Sequence, residues 1–172
     1  MEQKKKIIIF TQFSSMADII ERELAIISPL KITGSVSGSK REEIVNLFNN
    51  DSSRCVLIMT EAGTYGLNLQ VANVIIHYDL PWSISAITQR IGRAHRINQK
   101  NNVLVYHLIA KKTIDEYIKK VLYKKQKLAN QLLGEQIGVK EIKEILTYGI
   151  QYLTPCPKAL HPISSLSQPF PT

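Results

Sequence analysis

The chain has 172 residues, with 22 lysines and arginines against 14 aspartates and glutamates, a formal charge of +8 at pH 7. That length suits one ordinary domain with a buried core, and 44% apolar with 21% charged residues excludes a long disordered or fibrous chain. No apolar run approaches the roughly 18 residues of a membrane span, and the start Met1–Lys6 lacks a secretory leader, so an intracellular protein, cytoplasmic or nucleoid-associated and with no membrane partner, is expected.

In chain order, the first apolar run is Ile7 to Phe10, a strand. After Ser14 and Ser15, plausible caps, Met16, Ile19, Ile20, Leu24 and Ile27 recur at helical spacing until Pro29. Lys31 to Thr33 is the second strand. Ser39 with Glu42 forms a capping box opening a helix with Ile44, Leu47 and Phe48 on one face. Cys55 to Met59 and Val74 to Tyr78 are the next strands. A helix starting at Ser83 or Ser85 runs through Ile87 and Ile91 toward Arg96, and Val103 to Ile109 is the fifth strand. Thr113 with Glu116 opens the longest helix, striped by Ile114, Ile118, Val121, Leu122, Leu128 and Leu132, with Gly134 as its stop. The Ile- and Val-rich runs do not alternate with polar residues, which marks strands covered on both faces. The pattern predicts an α/β doubly wound parallel sheet with helices on both faces. Its bounds are 1–134, followed by a short helical extension over 135–153 and an extended or disordered Pro-rich tail over 154–172.

Charge and thiols narrow the chemistry. Seven lysines between Lys111 and Lys127 face only Asp115 and Glu116, and Arg90, Arg93, Arg96 and Lys100 make a second basic cluster. Polyanions are the natural partners, although lysines on a helix can also form a plain solvated face. Cys55 and Cys156 have neither zinc nor disulfide-framework spacing, so no metal site is expected and both thiols are free.

In open parallel sheets ligands bind beyond the carboxyl ends of the strands. After Met59 comes Thr60-Glu61-Ala62-Gly63-Thr64-Tyr65-Gly66-Leu67-Asn68-Leu69. Its glycines let backbone amides approach a phosphate, or simply serve a turn. Nothing matches GxxxxGK[ST]. Asp79-Leu80-Pro81-Trp82 projects the only tryptophan from a loop, where it can stack on nucleic acid or fill a core. Gln89-Arg90-Ile91-Gly92-Arg93-Ala94-His95-Arg96 would set Gln89, Arg93 and Arg96 along one helix edge, where guanidinium forks can clamp a polyphosphate.

Together these strings resemble the C-terminal RecA-like lobe of Swi/Snf-type helicase-like ATPases of superfamily two. They comprise Thr60–Gly63, Gly66–Gln70, Ala72-Asn73, Asp79, Trp82, Gln89 and Arg93–Gln99, with Ile8–Phe13, Gly34-Ser35 and Lys40-Arg41 before them. The likeness runs over about residues 5 to 133. It implies that Gly63, Gly66, Asn68 and Gln89 line a nucleotide pocket and that Arg93 and Arg96 are arginine fingers on the γ-phosphate. By the same resemblance Gln12, Lys40, Arg41, Thr60 and Trp82 contact DNA. It further implies ATP with Mg²⁺, held mainly by an N-terminal lobe whose P-loop and acidic box this sequence does not contain. The family's second loop glycine is Thr64 here, and the Asn-Pro after its tryptophan is Ser83-Ile84. The expected function is the second lobe of a DNA translocase, inactive toward ATP on its own. The alternatives are a non-catalytic nucleic-acid-binding remnant and an RNA helicase lobe.

Overall fold

The computed structural model describes residues 5–61, 66–95 and 102–133. Strand β1 is Ile7–Thr11, helix α1 Ser14–Glu23, and a short 3₁₀ turn Ala25–Ile27 leads into β2 at Leu30–Ile32. Helix α2 spans Gly38–Asn50, β3 Val56–Thr60, β4 Val74–His77, α3 Ile84–Ile91, β5 Leu104–His107 and α4 Ile114–Leu133. The five strands form one sheet in the order β2-β3-β1-β4-β5, and every neighbouring pair is parallel. A parallel pair needs a long return between strands, and the intervening helices provide it.

The continuous apolar runs have the expected cause, because side chains from both strand faces are buried. Ile8, Phe10, Leu57, Met59 and Ile75 point to one side, where Val45 and Phe48 of α2, Ile87 and Ile91 of α3 and Ile118 and Leu122 of α4 complete the larger core. Ile9, Val56 and Ile58 point to the other, onto Ala17 and Ile20 of α1. Helices thus lie on both faces, as expected for a RecA-like α/β fold. Among the described residues no helix is long and apolar enough to cross a membrane.

The helix ends differ from expectation in ways local hydrogen bonding explains. Phe13, rather than Ser14 or Ser15, occupies the α1 N-cap, and its amide donates to the Thr11 hydroxyl at 3.3 Å. Ile19 and Ile27 are exposed, and Ala17 takes the core position. The α2 cap is Ser37, two residues before the expected Ser39, and Val45 replaces the exposed Leu47 on the buried face. At α4 the capping hydrogen bonds run through Thr113 and Asp115 rather than as the expected reciprocal box of Thr113 with Glu116. Thr113 Oγ1 accepts the Asp115 amide at 3.2 Å, and the Asp115 carboxylate accepts the Ala110 amide at 3.1 Å. Of the α4 stripe, Ile118 and Leu122 are buried while Ile114 and Leu128 are exposed. Gly134, the 135–153 extension, the 154–172 tail and Cys156 lie outside the described residues.

At the amino edge of the sheet, Lys6 is buried. Its ammonium donates to the carbonyls of Phe48 at 2.6 Å, Asp51 at 2.6 Å and Arg54 at 3.0 Å, and sits 5.2 Å from the Phe48 ring centroid. All three ammonium protons are thereby used on carbonyls at and beyond the end of α2, where the helix dipole also favours a cation.

Candidate functional site at the carboxyl edge of the sheet

From β1 the chain crosses by α1 toward β2, and from β4 it crosses by α3 toward β5, so the strand order reverses between β1 and β4. That reversal opens the crevice where such sheets take ligands. One carboxylate laces its floor. Asp79 accepts the Thr11 hydroxyl and, at 3.0 Å, the Gln12 amide, while Gln12 Nε2 donates to the Leu80 carbonyl at 3.0 Å. Gln12, expected on a nucleic-acid track, therefore has part of its side chain engaged inside the fold.

Next to this floor β3 ends in Thr60, only 4% exposed, whose hydroxyl has no partner among the described residues. The loop after it is described again from Gly66, which sits at φ +76°, a left-handed conformation that favours glycine. Asn68 is exposed, and its side-chain oxygen accepts the Gln70 amide at 3.4 Å. Gly63 lies outside the described residues.

The arginine segment departs from the expected continuous helix. Helix α3 stops at Ile91, and residues 92–94 form a turn, so Gln89 and Arg93 do not share one helix edge. The break falls at Gly92, the poorest helix former there apart from proline. Gln89 is exposed on α3, and Arg93 is half-buried, with Nε lacking a partner among the described residues. The Arg93 carbonyl accepts the Leu69 amide at 3.1 Å, which brings the arginine segment against the end of the glycine-containing loop. Arg96 lies outside the described residues.

Arg90 does not belong to an exposed basic cluster, contrary to expectation. It is 2% exposed, donates to Glu61 Oε1 at 2.9 Å and to the Asp79 carbonyl at 3.3 Å, and its guanidinium carbon lies 5.5 Å from the centre of the Phe10 ring. Burial pulls its pKa below the ordinary value, opposed by the charges of Glu61 and Asp79. It turned inward because helix periodicity places it on the same face as the core residues Ile87 and Ile91.

The remaining expected contacts lie just before α3 and in the first turn of α2. Trp82 is 49% exposed, in edge contact with the Tyr117 ring at a centroid distance of 6.4 Å, and its carbonyl accepts Lys125 Nζ at 3.4 Å. Lys40 is exposed near the start of α2. Beside it Arg41 donates through Nη2 to the Gly34 carbonyl at 3.2 Å, its Nε buried without a partner among the described residues.

Four residues were not foreseen. His77 and His107, the last residues of β4 and β5, face each other through their Nδ1 atoms at 2.9 Å, with ring centroids 4.7 Å apart. A signal existed, since two of the apolar runs each carry a histidine near their ends and neighbouring parallel strands can place such residues side by side. Glu61 and Tyr117 carry no comparable signal, because their partners lie 29 and 35 positions away.

Residues 1–98 match the helicase conserved C-terminal domain family, and the chain belongs to it. Within that family it is the C-terminal RecA-like lobe of the Swi/Snf type. It is 39% identical over 145 residues to an uncharacterized ATP-dependent helicase of Mycoplasma pneumoniae, covering 82% of this chain and 14% of that protein. It is 34% identical over 160 residues to the CHD3-type chromatin-remodeling factor PICKLE of Arabidopsis thaliana, covering 88% of this chain and 12% of that protein. Among solved structures it is similar to the C-terminal part of the Fun30 ATPase domain, with 30% identity and a TM-score of 0.66 over 70% of this chain and 40% of that one. The chain thus spans a small part of the length of the curated relatives.

Proposed function

We propose that this chain is the second lobe of an ATP-dependent DNA translocase, supplying arginine fingers and DNA-backbone contacts to an ATPase site that an N-terminal lobe completes. The observation that carries this reading is the bond from Leu69 to Arg93, which holds a glycine-containing loop and an arginine segment together beyond the strand ends. The names of its relatives support ATP use.

The residues suit a polyphosphate. Arg93 Nε, on the nucleotide side, and the Thr60 hydroxyl, on the DNA side, are buried donors without partners among the described residues, and phosphate oxygens are acceptors only. Gly63, Gly66, Asn68 and Gln89 would line the nucleotide side, and Arg93 and Arg96 would face the γ-phosphate. ATP supplies the phosphoryl group whose transfer releases the energy for translocation. Mg²⁺ is assigned mainly to the partner lobe, together with the P-loop. Arg93 and Arg96 stabilise the charge that spreads over the phosphoryl oxygens as the lobes close, an effect of about 10³ to 10⁵ in rate. Lys40, Arg41, Thr60 and Gln12 hold the DNA backbone on the same lobe, and Trp82 contacts the DNA groove.

The test joins this chain to an N-terminal lobe carrying a P-loop and an acidic box, in cis or in trans. Arg93→Ala and Arg96→Ala should each cut DNA-stimulated ATPase by about 10³ or more with the circular dichroism spectrum intact. Turnover near that of the parent overturns the finger assignment. Salt-sensitive DNA binding by a pair that never hydrolyses ATP would instead favour a nucleic-acid-binding module without a catalytic cycle.

A further inference from the structure

We infer that Tyr117 and Lys125 of α4 are positioning residues for Trp82, holding its indole in the pose in which it meets DNA. The inference rests on the reading of Trp82 as a DNA contact. The loop that carries Trp82 is pinned on its inner side residue by residue. The Asp79 carboxylate accepts from Thr11 and Gln12, the Asp79 carbonyl accepts from Arg90, and the Leu80 carbonyl accepts from Gln12 Nε2, while Leu80 and Pro81 are buried. Trp82 then turns outward just before Ser83, the N-cap of α3.

Those ties leave the direction of the ring unset, and α4 supplies it. The Tyr117 ring meets the indole in an edge contact at 6.4 Å between centroids, an interaction that depends on orientation. Two turns further along α4, Lys125 Nζ donates to the Trp82 carbonyl at 3.4 Å; at that length it is the weaker tie. Ring and backbone of one residue are thus referred to a single helix. That helix is anchored by Ile118 and Leu122 in the same core as Leu80 and Ile87. Tyr117 is 57% exposed and Lys125 is exposed, so neither fills that core. An indole held in one rotamer beforehand has less freedom to lose when it meets the duplex.

The experiment uses the full chain, in which Trp82 is the only tryptophan and reports its own surroundings. Without DNA, Tyr117→Leu should raise the acrylamide quenching constant of Trp82 by about 1.5- to 2-fold, because a ring now 49% exposed loses its cover. Lys125→Met should raise it less, and Tyr117→Phe, which keeps the ring edge, should restore the parent value. Circular dichroism should be the same in all of them. With duplex DNA, Tyr117→Leu should weaken binding about two- to tenfold, the cost of ordering one side chain, and should add nothing in a Trp82→Ala background. An unchanged quenching constant in Tyr117→Leu overturns the inference. So does a loss of affinity that persists in full in the Trp82→Ala background, which would put Tyr117 itself on the DNA. A raised constant with unaltered affinity overturns the assignment of Trp82 to DNA, and the purpose of the clamp with it, so the two failures read differently.

Discussion

The imidazoles of His77 and His107 meet Nδ1 to Nδ1 at 2.9 Å inside the carboxyl end of the sheet, so one ring must donate the proton that the other accepts. Burial holds His77 well below its ordinary value of 6.5, with His107 and the Arg90 guanidinium adding to the shift. The folded state therefore keeps His77 neutral where the unfolded chain would take up a proton. Its stabilising effect is complete above about pH 6.5 and is lost as the pH falls below that value, by up to about 1.4 kcal/mol per pH unit. Urea midpoints should drop between pH 7.5 and pH 5.5, and His77→Leu should flatten that dependence. A midpoint in the parent that holds constant over this range refutes the assignment.

Lys6 is expected to matter far more than its position in a lysine-rich start implies. Lys6→Met keeps the stem but strips donors from three carbonyls at the end of α2. Hydrogen bonds to a charged donor are worth about 1.5–3 kcal/mol each and are not additive, so a loss of about 2–4 kcal/mol in urea denaturation is expected. A change under about 0.5 kcal/mol would show the clasp to be idle.

Lys31 offers the contrast. It bridges Asp18 at 2.7 Å and Glu21 at 2.5 Å, but both acids are substantially exposed. Their hydrogen bonds raise the Lys31 pKa above 10.5, so its contribution is present below that value and fades as the pH rises past it. Solvent screening keeps it small. Lys31→Met should cost less than about 1 kcal/mol, and less still in 0.5 M salt than in 0.05 M.

DNA binding separates aromatic from ionic contacts. Trp82 is half exposed beside Tyr117, so its fluorescence should change on titration with duplex DNA, and Trp82→Ala should weaken binding by about 1–3 kcal/mol with the salt slope retained. Lys40→Ala and Arg41→Ala should each lower the slope of log affinity against log salt by about 1. A silent tryptophan together with unchanged slopes removes these residues from the interface.

The parts of the fold visible in the sequence are those set by local pattern. The unbroken Ile and Val runs located all five strands within two residues at either end, because covering both faces leaves no room for alternation. Helix ends were less legible, since the choice between Ser37 and Ser39, or Asp115 and Glu116, turns on hydrogen bonds only a folded backbone offers. Within the site, the glycine loop, Trp82 and the arginine string were readable as motifs. The inward turn of Arg90 was not: its charge argues for solvent, and the Glu61 that accommodates it comes from a different strand end. Asp79 was noticed only as part of a string, although its carboxylate ties β1 to β4.

Strand β1 stands in the middle of the sheet, yet both of its neighbours come much later in the chain, with Ile7 aligned to Val56 and to Val74. During synthesis at roughly 5–20 residues per second, Ile7–Phe10 must wait on the order of several seconds before either flank exists. An apolar strand synthesised so far ahead of both its partners is the natural place for a chaperone to hold the nascent polypeptide, and for aggregation to start when none does.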